Sequence, residues 1–311
     1  MSDLHPILKD ILAQPENPNA VPVEVQDPDD AREEWKADMA AVDAPAPRMR
    51  ELVDFFIETK SAVLMARRYV PLIATSQANP ALVYFHGGGF IRGDIETHDS
   101  VCRVLANSSG CVVISAEYRL APEHRFPAGA QDAYDVVQYV SANADRLGID
   151  PERIAVGGDS AGGNMAIAAC LQAKRNGGPN IRLQLLIYPV TDLATETESK
   201  RLFSEGYLLN SMPFYIASYL GPDGNSEDEL ASPVFAKDLS GLPPAYIITA
   251  GYDPLRDEGE NFASRLAEHG TLVEYKCYGQ MIHGFVSLRG LLAEADSALI
   301  GCAMKLASAL K

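Results

Sequence analysis

Basic residues are scarce in this chain: 26 Lys and Arg stand against 42 Asp and Glu, a formal net charge of −16. That balance argues against a phosphate backbone or an anionic membrane surface as the principal partner, so neither nucleic-acid binding nor membrane insertion is expected. The deficit is uneven, because residues 1–60 hold 14 of the acids and only 6 of the bases. Long apolar runs are missing as well. No window approaches the ~18 consecutive apolar residues of a membrane-spanning helix. Cysteine is sparse, with five residues at 102, 111, 170, 277 and 302. Their odd number and the lack of any CxxC pair give neither a disulfide framework nor zinc-ligand spacing. Buried free thiols in a reducing compartment are the expectation. Met1 to Asp10 lacks the basic-then-apolar profile of a signal peptide. Asn107-Ser108-Ser109 matches a glycosylation acceptor but carries little meaning without a secretory signal. A cytoplasmic location is expected. No internal repeat or low-complexity tract occurs, and a 47% apolar, 22% charged composition excludes a largely disordered or collagen-like chain.

What is present divides the chain into unequal parts. Residues 1–50 predict two helices, His5–Ala13 and Asp30–Val42, joined by a Pro-, Asn- and Asp-rich connector from Pro15 to Pro28. The second helix spaces Trp35, Met39 and Val42 at i, i+4 and i+7, a stripe too narrow to build its own core. It must dock elsewhere, and the aromatic stretch after residue 190 is the expected partner. From about residue 60 the rhythm changes to short apolar runs alternating with helix-length segments. The runs are Ala81–Phe85, Cys111–Glu117, Arg153–Gly157, Leu183–Val190, Ala245–Gly251 and Leu272–Tyr278, with Ala62–Val70 as a further strand near the sheet edge. Helices are predicted over 95–109, 128–144, 161–176, 257–269 and 290–310. Continuous apolar strands separated by helices indicate an α/β fold, a mostly parallel sheet covered on both faces. Ligands in such sheets gather at the carboxyl ends of the strands. Residues 191–240 break the alternation with Phe203, Tyr207, Met212, Phe214 and Tyr215 and read as an insertion over that edge. The organisation expected is therefore an N-terminal helical cap segment over 1–50, core over 51–190, cap insertion over 191–240, and core over 241–311.

The chemistry centres on Gly158-Asp159-Ser160-Ala161-Gly162. This G-x-S-x-G pattern lies between an apolar strand and an Ala-rich helix, where a sharp turn projects the serine hydroxyl and small neighbours avoid collision. A serine needs a base, and the base an orienting carboxylate, in the order Ser, acid, His for this setting. Two histidines follow Ser160. His269 ends a helix, whereas His283 sits in a Gly-flanked loop directly after a strand. Asp253 follows the preceding strand in the same way, while Asp257 and Glu258 suit the start of the next helix. A second signal is His86-Gly87-Gly88-Gly89-Phe90, also just after a strand. Three glycines let backbone N–H groups point at a developing oxyanion, together with the N–H of Ala161. His86 precedes the nucleophile and is assigned a structural role, hydrogen-bonding that loop.

Together with Asp253-Pro-Leu-Arg-Asp257, His283-Gly-Phe285 and the stretch Tyr118 to Ala128, these motifs resemble the bacterial hormone-sensitive-lipase-like esterases of the α/β-hydrolase fold. The likeness runs from about residue 60 onward. It implies that fold with a helical cap, Ser160 as nucleophile, His283 as general acid/base and Asp253 as its partner. It also implies an oxyanion hole from Gly87, Gly88, Gly89 and Ala161, with no cofactor and no metal. Candidate substrate-pocket residues are Phe90, Asp159, Tyr188, Phe203, Tyr207, Met212, Phe214, Tyr215 and Ile282. The activity implied is hydrolysis of short-chain carboxylic esters. The same machinery also suits an amide, a lactone or an acetylated xenobiotic. A binding-only receptor on this scaffold would lack the histidine that His283 supplies, and an interfacially activated lipase fits poorly with the −16 charge. Relatives often pair through a sheet edge, so a homodimer is among the assemblies the likeness allows.

Overall fold

The computed structural model describes residues 3–14, 20–74 and 78–311. The first helix, α1, is Pro6–Leu12 and the second, α2, is Pro28–Val42. Residues 15–19 of the expected connector lie outside the described residues. Eight strands follow in one sheet: β1 Glu51–Glu58, β2 Val63–Val70, β3 Asn79–Phe85, β4 Val112–Ala116, β5 Ile149–Asp159, β6 Gln184–Ile187, β7 Ala245–Tyr252 and β8 Val273–Ile282. The remaining helices are α3 Asp99–Ser109, α4 Ala128–Ala142, α5 Ala144–Leu147, α6 Ala161–Asn176, α7 Glu198–Phe203, α8 Met212–Leu220, α9 Arg256–Glu268 and α10 Ala293–Ala309.

The strand order is β1-β2-β4-β3-β5-β6-β7-β8, parallel from β4 to β8 and antiparallel where β1 meets β2 and β2 meets β4. Strands β3 and β4 are buried along nearly their whole length, as continuous runs such as Ala81–Phe85 require when both faces are covered. One face packs α4, α6 and α9 through Val137, Met165, Ile167, Phe262 and Leu266. The other packs α3, α10 and α1 through Leu105, Leu299, Leu306 and Leu8. This is the α/β-hydrolase architecture.

Two features depart from the sequence expectation. Strand β1 starts at residue 51, before the point where the strand rhythm was expected. It is an edge strand whose residues are mostly exposed, Phe56 at 67%, and Asp54 splits its apolar residues into Leu52-Val53 and Phe55-Phe56-Ile57. Helix α1 does not join a cap. Leu4 and Leu8 are buried beside Leu292, Ala295 and Leu299, and the His5 N–H donates to Gln280 O at 3.0 Å. Helix α2 behaves differently. Arg32 forms a bidentate pair with Glu123 and Lys36 an ion pair with Asp94, so the helix lies along the loop that follows β3. Its end is fastened where Gly290 N–H donates to Val42 O at 2.9 Å. Among the described residues, no helix is long and apolar enough to cross a membrane.

Candidate active site

Strand β5 ends at Asp159 and α6 begins at Ala161, so Ser160 alone turns the chain. It sits at φ 54°, ψ −119°, a conformation a side chain holds only when its surroundings enforce it. The enforcement is steric. A Cβ on Gly162 would fall 2.0 Å from Phe85 O, and one on Gly158 would fall 2.4 Å from the same oxygen. Only glycine lets β3, β5 and α6 approach this closely. Hydrogen bonds fix the elbow: Ser160 N–H donates to Ile187 O at 2.9 Å, and Asn164 Nδ2 donates to Val190 O at 3.0 Å and Ala231 O at 2.8 Å.

Because β5, β6, β7 and β8 are parallel neighbours, the loops after them share one edge of the sheet. There the side chains of Ser160, His283 and Asp253 meet. Ser160 Oγ lies 2.9 Å from His283 Nε2, and His283 Nδ1 lies 2.9 Å from Asp253 Oδ2. Asp253 is fully buried, and its Oδ1 accepts the Leu255 N–H at 2.7 Å. A proton on Nδ1, held by the carboxylate, leaves Nε2 as the acceptor facing the hydroxyl. The competing residues are elsewhere. His269 caps α9 beside Asp238, and Asp257 pairs with Arg256 and accepts the Ser199 N–H.

The glycine loop lies against this chain of three. Asp159 Oδ1 accepts the Gly87 N–H at 3.0 Å and the Tyr84 hydroxyl at 2.7 Å, while Oδ2 faces His98 Nε2 at 3.3 Å. Burial by itself would raise the Asp159 carboxyl. His98, the Tyr84 hydroxyl and His86 outweigh it and hold the group below its ordinary value. The Gly87 N–H is thus committed to Asp159 rather than free for the oxyanion role expected of it. The N–H groups of Gly88 and Gly89 have no partner among the described residues. Gly88 needs its φ of 127°, since a Cβ there would sit 2.0 Å from Arg92 O. His86 is fully buried behind the loop, stacked on Tyr118, with Nδ1 2.9 Å from Gly87 O and Nε2 3.3 Å from Glu117. Burial opposes its protonation, but the Glu117 carboxylate more than compensates and raises its pKa.

A cavity of about 150 Å³ opens above Ser160 and His283. Of the expected pocket residues, Phe90, Asp159, Met212 and Tyr215 line it. Five others do not. Tyr188 is fully buried against His283, with rings 4.7 Å apart, and Ile282 is buried at the end of β8. Phe203 and Tyr207 pack on Tyr252, and Phe214 packs in a small cluster with Val23 and Ile91. Residues the sequence reading did not assign to the site also form the wall: Trp35, Met39, Arg92, His98, Val190, Leu208, Leu209, Ile216, Ser287 and Leu288. The Trp35–Met39 stripe was the available signal for two of them. A larger open groove of about 1140 Å³ lies at the amino ends of β6, β7 and β8 and contains none of Ser160, Asp253 and His283. Among the described residues, no group of three or more His, Cys, Asp or Glu is arranged to hold a metal ion.

The alpha/beta hydrolase fold family matches residues 82–287. The chain belongs to that family. The carboxylic ester hydrolase LipN of Mycobacterium tuberculosis is 42% identical over 253 residues, spanning 78% of this chain and 67% of that protein. An arylesterase of Saccharolobus solfataricus is 37% identical, over 80% of this chain and 81% of its own. Among solved structures, a serine-to-alanine mutant of an α/β hydrolase enzyme from the metagenome of Lake Arreo, Spain, superposes with a TM-score of 0.93 at 38% identity, covering 99% of both chains.

Proposed function

We propose that the chain is a serine carboxylesterase that hydrolyses short-chain carboxylic esters through an acyl-enzyme. Ser160 Oγ attacks the carbonyl carbon as His283 Nε2 takes its proton, and Asp253 holds the imidazolium that forms. The charge on the former carbonyl oxygen is met by the N–H groups of Gly88, Gly89 and Ala161. Collapse breaks the ester C–O bond, and His283 returns its proton to the departing alcohol. Water, activated by the same imidazole, then releases the acid. The observation carrying this reading is the chain Asp253–His283–Ser160, with 2.9 Å at each contact, at the floor of a cavity. The ester-hydrolase names of the relatives support the reaction class. Unpaired, buried Cys102, Cys111, Cys170 and Cys302 suit a reducing cytoplasm.

The cavity size sets the substrate range. Its volume of about 150 Å³ is that of a site that holds a benzene-sized group, so an acyl arm of about four to six carbons fills it. Each methylene that fits adds about 0.8 kcal/mol, roughly a fourfold gain in kcat/KM. Further methylenes meet the walls at a cost of roughly 1–3 kcal/mol. The test is a series of 4-nitrophenyl esters from acetyl to palmitoyl with wild type and Ser160→Ala. A maximum at butyryl to hexanoyl is expected, with turnover lost about 10⁴-fold or more in the variant. Residual activity above a tenth, or steady improvement to sixteen carbons, would overturn the proposal.

A further inference from the structure

The wall of this cavity carries one permanent cation. Arg92 follows the glycine loop by three residues, and its guanidinium lies 5.1 Å from the Trp35 ring centroid and 5.5 Å from that of Tyr215. One of its terminal nitrogens donates to the Tyr215 hydroxyl at 2.8 Å. Trp35 comes from α2 and Tyr215 from α8, so two separate segments grip the guanidinium. Tyr215 also covers Gly89, where a Cβ would fall 2.8 Å from its ring. The cation is thereby fixed beside the loop that faces the reacting carbonyl.

Its charge is not consumed by the protein. Arg92 Nε is buried without a hydrogen-bond partner, and no carboxylate among the described residues forms an ion pair with Arg92. Neighbouring acids are taken by other bases: Asp94 by Lys36 and Glu123 by Arg32. Asp38 lies within its field without pairing to it. Inside the cavity, Asp159 is saturated by Tyr84, Gly87 and His98, and His283 is held between Asp253 and Ser160. A guanidinium clasped by two rings beside apolar side chains such as Met39 and Leu209 retains N–H donors in the planar array that matches a carboxylate.

We propose that Arg92 is a specificity residue that binds a carboxylate carried by the substrate. The favoured substrates are then anionic esters whose carboxylate lies a few atoms from the scissile carbonyl. Half-esters of dicarboxylic acids place it on the acyl arm, and esters of phenol or hydroxy acids place it on the alcohol arm. The inference rests on the esterase reading above. The −16 net charge slows the approach of such anions from a distance, so the local benefit is read in discrimination between matched esters rather than in absolute rate.

The experiment compares two pairs in wild type and Arg92→Met: mono-4-nitrophenyl glutarate against 4-nitrophenyl valerate, and 4-acetoxybenzoate against phenyl acetate. Dividing the anionic-to-neutral ratio of kcat/KM in wild type by that in the variant cancels intrinsic reactivity. One hydrogen bond to a charged group makes this quotient about 10- to 100-fold for the arm that reaches Arg92, chiefly through KM. A quotient near one for both pairs would overturn the proposal. Because Arg92→Met also loosens the Trp35–Tyr215 contact, competitive inhibition of wild type by glutarate and by 4-hydroxybenzoate is compared with that by their neutral amides, glutaramide and 4-hydroxybenzamide. Inhibition at least tenfold tighter by the anion of one pair is expected, and no preference for the anion in either pair overturns the inference even if the variant does not fold. Glutarate binding by calorimetry separates the two readings if wild type turns over no ester. Binding weakened at least tenfold by Arg92→Met supports the carboxylate site alone, and equal or absent binding rejects it.

Discussion

Replacing Asp159 by Asn tests whether the glycine loop is positioned by charge. The carboxylate accepts from the Tyr84 hydroxyl at 2.7 Å and the Gly87 N–H at 3.0 Å, and faces His98 Nε2 at 3.3 Å. An asparagine oxygen can keep the first two bonds, while its NH2 must face His98. That arrangement is satisfied if His98 accepts on Nε2 and donates from Nδ1 to Thr97 Oγ1, 2.9 Å away. Nothing need be orphaned, so the loss is the charge. Hydrogen bonds to an ionised acceptor contribute about 1.5–3 kcal/mol against about 0.5–1.5 for neutral pairs. Across these contacts stability should fall by about 2–3 kcal/mol. The chemical effect is separate. Gly87 anchors Gly88 and Gly89, and losing one well-aimed oxyanion donor costs about 10²–10³ in kcat. A loosened loop that keeps both donors should lose roughly 10- to 100-fold. Steady-state kinetics with 4-nitrophenyl butyrate, beside thermal melts, separate the outcomes. The expected result is a kcat fall of that size with KM within about threefold of wild type. A raised KM at unchanged kcat would refute this reasoning and return Asp159 to the pocket role first expected of it. A lowered melting point with intact kcat and KM would make the network a matter of stability alone.

Gly162→Ala should abolish activity and lower stability by at least ~1–3 kcal/mol, because its Cβ would meet Phe85 O at 2.0 Å and His86 O at 2.6 Å. Gly177→Ala, where nothing lies within 4 Å and only φ of 76° resists, should cost about 1 kcal/mol and leave the rate alone; equal melting points for the two would discount the steric account. Leu8→Ala should cost about 2–5 kcal/mol at unchanged kcat, whereas Trp35→Ala should alter chain-length preference at similar stability, as melts and the ester series will report. Glu258 is fully buried, and burial pushes its carboxyl up from 4.5 to about 7 against the pull of Lys200, 2.8 Å away. The folded chain then holds this proton more tightly than the unfolded chain, so stability should fall as pH rises from about 4.5 to 7, by on the order of 3–4 kcal/mol, and level off above. Glu258→Gln should remove that slope in urea midpoints taken from pH 5 to 8, and parallel wild-type and variant profiles would contradict it.

Ser160, Asp253 and His283 were legible because each follows its own apolar strand, and parallel strands bring their carboxyl ends together whatever the intervening sequence. The glycines of the elbow were legible for a related reason: close backbone approach leaves a compositional trace. Tertiary choices left none. The Trp35–Met39 stripe announced a docking helix, but only the fold shows Trp35 resting near His98, with ring centroids 6.1 Å apart, and under Arg92. The aromatic residues of 191–220 read alike in sequence, yet Phe203 and Tyr207 turn to Tyr252 while Tyr215 turns to Arg92. Strand β1 was not legible, because Asp54 interrupts its apolar residues and breaks the pattern of the buried strands. Gly87 shows the limit of a motif, since membership in the glycine run does not reveal which N–H is already spent on Asp159.

Ser160 and His283 are 123 residues apart in sequence. During synthesis the proposed nucleophile therefore emerges well ahead of its proposed base. Its strained turn is closed by nearby partners, Gly162 and Ile187, but until β7 and β8 pair beside β6 the hydroxyl is an ordinary alcohol. Parallel pairing across long crossovers is slow, because chain entropy is lost before the contacts that reward it. Under the proposed mechanism, a nascent or partly unfolded molecule stays inert toward the esters around it. Under that mechanism, labelling of Ser160 by an organophosphonate should count finished molecules rather than translated ones.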